Sequence, residues 1–471
     1  MKLKHYILFF VLFCIKIDCC YGQTNEELLV DLTKMNMRQA LERCNGPIRL
    51  KVKGHMNGDD VFYLRKYAIR FLKSLDLKES GIKKGGMSYI TTGLTKHYTQ
   101  DNTIGAFMFS DFRYLEKVIL PDHIEKIDKR AFDFCEQLNN INIPSDVEII
   151  EEGAFAFTSL EEVVFPNKLK KIGKNAFYAT KISSVYIPTS LIELENSFWG
   201  CDSLTTINVD SNHNYYSSLN GALCNKDCSI LYIYPPKSKC SNLTLPESLF
   251  EINSRAFCGC KNLFTINLPE NIKDIGVAAF EDCTNLQTFT IPNSVKEIKT
   301  RTFKGCKNLK TLYVPKGFNH FGSESFKDCI NLEAIYCFDT HSAPGMDYDA
   351  FPSDLGGPTW NEHYNTKIKL YIPYGTRDVY YLRGIGYFFL NIIEMESATS
   401  NDYINKEHPI KMTNHNGYLI LDTNEKIRIK IYDIKGELLI NKDITGFETI
   451  SLTNGLYIIS TKYGNNKILI K

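Results

Sequence analysis

The sequence predicts a mainly β protein with short helices: a solenoid of stacked coils, capped at both ends and followed by a small C-terminal β-sandwich. Three observations carry this reading. First, one phrase recurs at a nearly fixed period, as F-C-G-C-K-N-L-F-T-I-N-L-P from Phe257, F-E-D-C-T-N-L-Q-T-F-T-I-P from Phe280 and F-K-G-C-K-N-L-K-T-L-Y-V-P from Phe303. Such a period marks repeats that bury their apolar faces only by stacking. Second, apolar residues within each phrase alternate with a period of two and stop at proline, which cannot donate to a strand ladder. Third, residues 411–471 carry six short alternating runs separated by turn residues, the pattern of a sandwich.

The chain opens with Lys2 and Lys4 before an apolar run, residues 6–15, about half the roughly 20 residues needed to span a bilayer. With small residues at Cys20 and Gly22, this reads as a signal peptide, residues 1–22, cleaved after Gly22. A lipid anchor at Cys19 or Cys20 and a buried element are the alternatives. No transmembrane span is expected.

Residues 23–102 are an N-terminal cap of atypical repeats. Residues 48–52 and 74–77 alternate as strands, and between them Asp59 and Asp60 start a helix with apolar Val61, Leu64, Ala68, Phe71 and Leu72. The repeats then cover residues 103–337. Their phenylalanine anchors are Phe107, Phe132, Phe155, Phe177, Phe198, Phe257, Phe280, Phe303, Phe326 and Phe351, spaced by 21 to 25 residues except for one gap of 59. The excess in that gap, about residues 209–240, reads as a hairpin extending from the solenoid, with strands at 222–224 and 230–234. In the coil after Phe280, the residues Phe280, Cys283, Leu286, Phe289, Ile291, Val295 and Ile298 face inward. Residues 338–396 close the solenoid, and the polar segment 397–410 is a linker. The sandwich strands are expected at 417–421, 426–432, 437–440, 448–452, 456–463 and 467–470.

Fifty-five lysines and arginines against 54 aspartates and glutamates leave a net charge of +1, with no basic run, so nucleic acid is not an expected partner. Twelve of the fifteen cysteines follow the signal segment. Cys135, Cys201, Cys260, Cys283, Cys306 and Cys329 each lie three residues after an anchor, which fits small buried fillers stacked coil upon coil. The fillers Thr158 and Thr180 favour free thiols there, although disulfides fit an exported chain. Cys224, Cys228 and Cys240 lack a fourth ligand at zinc spacing.

Catalytic signatures are absent: no G-x-S-x-G, H-E-x-x-H or phosphate-binding glycine loop occurs, and the histidines share no repeat position. Glu161 and Glu162 alternate across a strand rather than facing one another. The expectation is a non-enzyme without cofactor or metal. Function then falls to surfaces. Outward strand positions form a polar stripe whose candidate binding residues are Tyr186, Thr206, Asn208, Thr265, Asn267, Thr288, Thr290, Thr311, Tyr313 and Tyr336. Threonine and tyrosine also suit any solvated strand. A second surface comprises Tyr215, Tyr216, Tyr232 and Tyr234 in the insert.

The coil A-F-x-x-C-x-x-L-x-x-I-x-I-P-x-x-V-x-x-I resembles the BspA-like leucine-rich repeats, over about residues 103–337. The insert N-G-A-L-C-N-K-D-C-S-I-L-Y-I-Y-P-P and the segment I-K-L-Y-I-P-Y-G-T-R-D-V-Y are similar to parts of that family. The resemblance implies a curved leucine-rich-repeat solenoid, an outer-cell-surface address in Bacteroidetes or some protists, and adhesion to host extracellular-matrix or cell-surface proteins and glycoproteins. The tail, I-R-I-K-I-Y-D-I-K-G-E-L-L-I and L-T-N-G-L-Y-I-I-S-T-K-Y-G-N-N-K-I-L-I-K, is similar to type IX secretion sorting domains. It implies the type IX secretion machinery as a partner, and departs from that family where a Y-P-N-P-like opening is replaced by H-P-I-K-M-T-N. A structural envelope component and a carbohydrate-binding accessory protein are the alternative functions.

Overall fold

Aromatic rings stack from coil to coil through the repeats, in two runs, in the computed structural model. The structure describes residues 27–42, 44, 48–353, 365–381, 385–395, 410–415, 418–433, 437–452, 455–461 and 464–470. The expected signal segment and all but the last residue of the expected linker lie outside these. Phe109, Phe132, Phe155, Phe177 and Phe198 follow one another at centroid distances of 5.2–5.5 Å. Tyr234, Phe257, Phe280, Phe303, Phe326 and Phe351 continue at 4.8–5.3 Å. Each spacing is close to the separation of hydrogen-bonded strands, because each coil lies one strand above the last. Within each of the two runs an anchor's N–H donates to the carbonyl preceding the next anchor, as in Phe280 to Thr302 at 2.8 Å and Phe303 to Ser325 at 2.7 Å.

Two anchors differ from expectation. Phe109 takes the first position, and Phe107 is only partly buried. The unexplained 59-residue gap contains Tyr234, which stacks on Phe257 and whose N–H donates to the Ala256 carbonyl at 2.7 Å, as a phenylalanine anchor's does. A coil turns at the residues two before and two after its anchor, where φ is left-handed, as at Asn175, Ala179, Ala278 and Asp282. That conformation costs an L-residue roughly 1–2 kcal/mol, and the chain supplies glycine only at some of these corners, Gly259 and Gly305 among them.

The seven inward residues of the coil from Phe280 to Ile298 are each at most 2% exposed. The cysteine column is built as expected. The Cys135 thiol donates to the Phe109 carbonyl at 3.0 Å, and Cys283, Cys306 and Cys329 donate to Phe257, Phe280 and Phe303 at 3.1 Å. The eleven described cysteines from Cys135 to Cys337 are free thiols, and burial pushes the thiols of Cys135, Cys306 and Cys329 up.

Short parallel strands flank the ring column in two rows. One row comprises Thr103–Ile104, Lys126–Ile127, Ile149–Ile150, Lys171–Ile172 and Glu193–Leu194, then Ile230–Ile233, Glu251–Ile252 and Asp274–Ile275, then Glu297–Ile298, His320–Phe321 and Gly345–Met346. The other begins before the repeats and runs into them: Glu27–Asp31, Ile48–Met56, Leu72–Ile82, Lys117–Ile119 and Asn140–Ile141 form one parallel sheet. The cap helix is Gly58–Ala68. Its N-cap is Asn57 rather than Asp59 or Asp60; the Asn57 side chain accepts from the Asp59 and Asp60 amides while Asp60 bonds back to the Asn57 N–H at 3.0 Å. Phe71 and Leu72 fall beyond this helix, in the turn and strand that follow.

The chain divides into two compact units. The first comprises Met1–Leu312, Phe318–Ala334 and Pro344–Ile368; the second comprises Tyr313–Gly317, Ile335–Ala343 and Lys369–Lys471. Strands Thr311–Val314, Ala334–Cys337, Asn365–Pro373 and Phe389–Met395 are successive neighbours in one sheet. Among the described residues, the C-terminal β unit has five antiparallel strands rather than six. Tyr418–Tyr432 and Leu438–Ser451 each join two expected runs, and they pair along most of their length with a register shift between Thr423 and Ile427. The shift lets one strand continue past a bend, so the polar residues read as a turn remain inside it. Leu419, Leu421, Ile427, Ile429, Ile431, Ile444, Ile450, Tyr457 and Ile459 form its core.

Charges at the corners pair both within and between coils. Lys304 and Lys327 donate to Glu324 at 2.6 and 2.5 Å and lower its carboxyl to about 2. A depressed folded value gives stability that is complete above the ordinary carboxylate range and is lost as pH falls through about 2. Glu324→Gln is therefore expected to melt lower than wild type at pH 7, and the gap should close progressively in melts recorded from pH 4.5 down to pH 2.

Candidate binding surface

The expected stripe is present but divided. Ser184–Ile187 pairs in parallel with Thr206–Val209, placing Tyr186 beside Asn208 on one exposed face. The Tyr186 hydroxyl donates to Asp210 at 2.7 Å, which raises the phenol and lowers the carboxyl. Asn242–Thr244 pairs with Thr265–Asn267. There, Thr265 donates to Asn242 Oδ1 at 2.8 Å, and Asn267 reaches Thr244 Oγ1 at 3.5 Å. Thr290 is exposed and Thr288 partly so.

Between these two strand pairs sits the insert. Its hairpin, Tyr216–Leu219 with Ala222–Asn225, does not extend from the solenoid. Ala222, Leu223 and Cys224 are at most 1% exposed, and the hairpin continues antiparallel into Ile230–Ile233, itself a coil strand. Its tip rests on the stripe: the Ile207 N–H donates to the Gly221 carbonyl at 2.8 Å. Gly221 has φ +83°, and a Cβ there would lie 3.0 Å from Thr206 Oγ1. The insert's tyrosines divide accordingly. Tyr215 is exposed and Tyr232 partly so, whereas Tyr216 and Tyr234 are buried, Tyr216 donating to the Ile192 carbonyl at 3.1 Å.

Three expected surface residues are buried. Thr311, Tyr313 and Tyr336 are 9%, 5% and 8% exposed. Tyr313 stacks on Tyr336 at 5.0 Å, and Tyr336 on Tyr371 at 4.4 Å, so the rings cover one another. All four residues of Thr311–Val314 are buried, as in a strand covered on both faces, where alternation no longer separates inside from outside. Among the described residues, no group of three or more His, Cys, Asp and Glu side chains is placed to hold a metal ion.

A model of the BspA type leucine rich repeat region matches residues 102–228 and 232–351 in six copies, more than half of the chain. The chain belongs to the BspA-type leucine-rich-repeat family. The family match pauses at residues 229–231, inside the insert. Among solved structures, a leucine rich cell surface protein from Faecalibacterium prausnitzii is similar at 20% identity and a TM-score of 0.51, over 81% of this chain and 90% of that one. It supports the leucine-rich-repeat fold. A leucine-rich repeat protein from Eubacterium ventriosum aligns at 19% identity and a TM-score of 0.46 over 61% of this chain and 79% of that one. The pneumococcal vaccine antigen PcpA aligns at 21% and 0.48 over 60% and 80%. No curated protein matches the sequence.

One feature of this BspA-type array lies outside the residues singled out from sequence. Phe134, Phe157, Tyr178 and Trp199, each one or two residues after an anchor, form a second aromatic column at the corners of four successive coils. Their centroids are 4.4, 4.9 and 4.7 Å apart, and all four side chains are partly exposed. The signal was readable as a second aromatic beside the anchor in F-D-F, F-A-F, F-Y and F-W.

Proposed function

We propose that this chain is a secreted, surface-displayed binding protein that adheres to host extracellular-matrix or cell-surface proteins and glycoproteins. The observation that carries the reading is the exposed polar stripe on a BspA-type array, with Tyr186, Asn208, Thr265, Asn267 and Thr290 in solvent and Thr206 and Thr288 partly so. Extended solenoid faces present many side chains on a rigid support, which limits the ordering cost of binding. The similar Faecalibacterium protein is described as a cell surface protein. Among the described residues, no helix is long and apolar enough to cross a membrane.

On this reading residues 1–22 direct export, 23–102 and 338–396 cap the repeats, and residues 411–471 engage the type IX secretion machinery of a Bacteroidetes-type cell. The test is binding of the full chain to immobilised matrix proteins and to a glycan array. We expect matrix-protein binding that falls at least tenfold, about 1.4 kcal/mol, in a Tyr186→Ala/Asn208→Ala/Thr265→Lys/Thr290→Lys variant. Binding to neither class would favour a structural envelope role. Undiminished binding by the variant would move the site off this stripe.

A further inference from the structure

The corner aromatics combine three properties that a purely structural role does not explain. They are partly exposed, so they do not fill the core, which is already supplied by the anchors. Phe134 and Phe157 hold left-handed φ of +58° and +56°, a conformation that bulky side chains avoid; the same position is glycine at Gly259 and Gly305 and aspartate at Asp282 and Asp328. Retained backbone strain at an exposed position is a mark of function. The column also ends on a cation. The Arg255 guanidinium lies 3.7 Å over the Trp199 ring; its Nε, like that of Arg301, is buried without a hydrogen-bond partner, and among the described residues Arg255 forms no ion pair. Arg301, at the same repeat position two coils on, pairs with Glu281 at 2.6 Å, and Arg113 and Arg130, beside the start of the column, each lie within 3.8 Å of a carboxylate. Arg255 is thus the arginine along this edge whose charge is not met.

We infer that Phe134, Phe157, Tyr178, Trp199 and Arg255 form a docking ridge for a protein segment that presents apolar side chains followed by a carboxylate. The ring geometry selects protein over glycan. Phe134 and Phe157 stack at 10° and cover one face of each other, Tyr178 meets Phe157 at 85°, and Arg255 covers one face of Trp199, so ring edges and few open faces of the kind a pyranose stacks on are presented. Edges suit leucine, methionine or aromatic side chains, and an arginine stacked on tryptophan, without an ion-pair partner among the described residues, suits a carboxylate. This deepens the binding role proposed above, on which it rests, by naming a second surface and the chemistry of its partner.

The experiment selects ligands for the full chain from a phage-displayed random-peptide library and, in parallel, probes a glycan array. Selected peptides are expected to carry apolar residues beside Asp or Glu. One such synthetic peptide should bind at least tenfold more weakly to Phe134→Gly/Phe157→Gly and to Arg255→Gln. The glycine variant should melt no lower than wild type, because it relieves two strained corners. The stripe variant of the preceding section should bind the peptide normally, which separates failure of the ridge from failure of the stripe. Peptide affinity within twofold of wild type in both ridge variants, a lowered melting temperature of the glycine variant, or ring-dependent glycan binding without peptide binding would each overturn the assignment.

Discussion

Phe280→Ala is expected to destabilise the first unit by about 3–5 kcal/mol, the range for emptying a fully buried phenylalanine site. The ring is completely buried, parallel to Phe257 at 4.9 Å and Phe303 at 5.3 Å and edge-on to Phe289 at 5.3 Å. The cavity cannot collapse, because the coils are held at strand spacing by backbone bonds on both sides, such as Phe257 to Ala279 and Phe280 to Thr302, each 2.8 Å. Circular dichroism melts should show a decrease of about 10 °C. An unchanged melt would contradict a continuous ring core.

Gly276→Val should be comparably damaging for the opposite reason. Gly276 follows the strand Asp274–Ile275, and its N–H donates to the Ile252 carbonyl of the previous coil at 2.8 Å. A Cβ at this position would collide with the Ser254 backbone nitrogen and lie 2.6 Å from the Asn253 carbonyl carbon. These are backbone atoms, so no rotamer change relieves the overlap; the coils must separate and give up their shared hydrogen bonds. We expect a loss of about 3 kcal/mol, at the upper end for overpacking. The neighbouring Val277→Ala, at a side chain 40% exposed, should change stability by less than about 0.5 kcal/mol. Urea titrations of the two variants side by side test this, and equal midpoints would exclude the close approach.

What was legible in the sequence follows from how strongly each position is constrained. Cys283, Leu286 and Ile298 have one acceptable direction, and period alone places them. The first anchor was ambiguous because F-M-F offers two phenylalanines; the left-handed corners at Phe107 and Asp111, symmetric about Phe109, decide it. Tyr234 was hidden by its hydroxyl, which reaches Ser238 at 3.0 Å while the ring does an anchor's work. The Asn57 cap was overlooked because Asp59 and Asp60 are also good caps, and only backbone geometry shows which residue is non-helical. The stripe failed at Tyr313 and Tyr336 because ring-on-ring burial depends on neighbours distant in sequence. At the ridge, each aromatic sits one or two residues from an anchor, and the period alone does not show that it stacks on its counterpart in the next coil.

The insert has a consequence for how order travels along the chain. Residues on either side are nearest neighbours in a one-dimensional array, in which stability is passed only between adjacent coils. At the insert two strand ladders stop and a cleft opens. The parallel pairing of Thr206–Val209 does not continue to Asn242–Thr244, that of Glu193–Leu194 does not continue to Ile230–Ile233, and a cleft of about 330 Å³ bordered by Leu194, Leu223 and Tyr232 opens where a coil would otherwise sit. Such a joint behaves as a firebreak. Damage in the coils before residue 210 can be absorbed without unravelling those after residue 234, and each block can vary its exposed side chains with little effect on the other's stability.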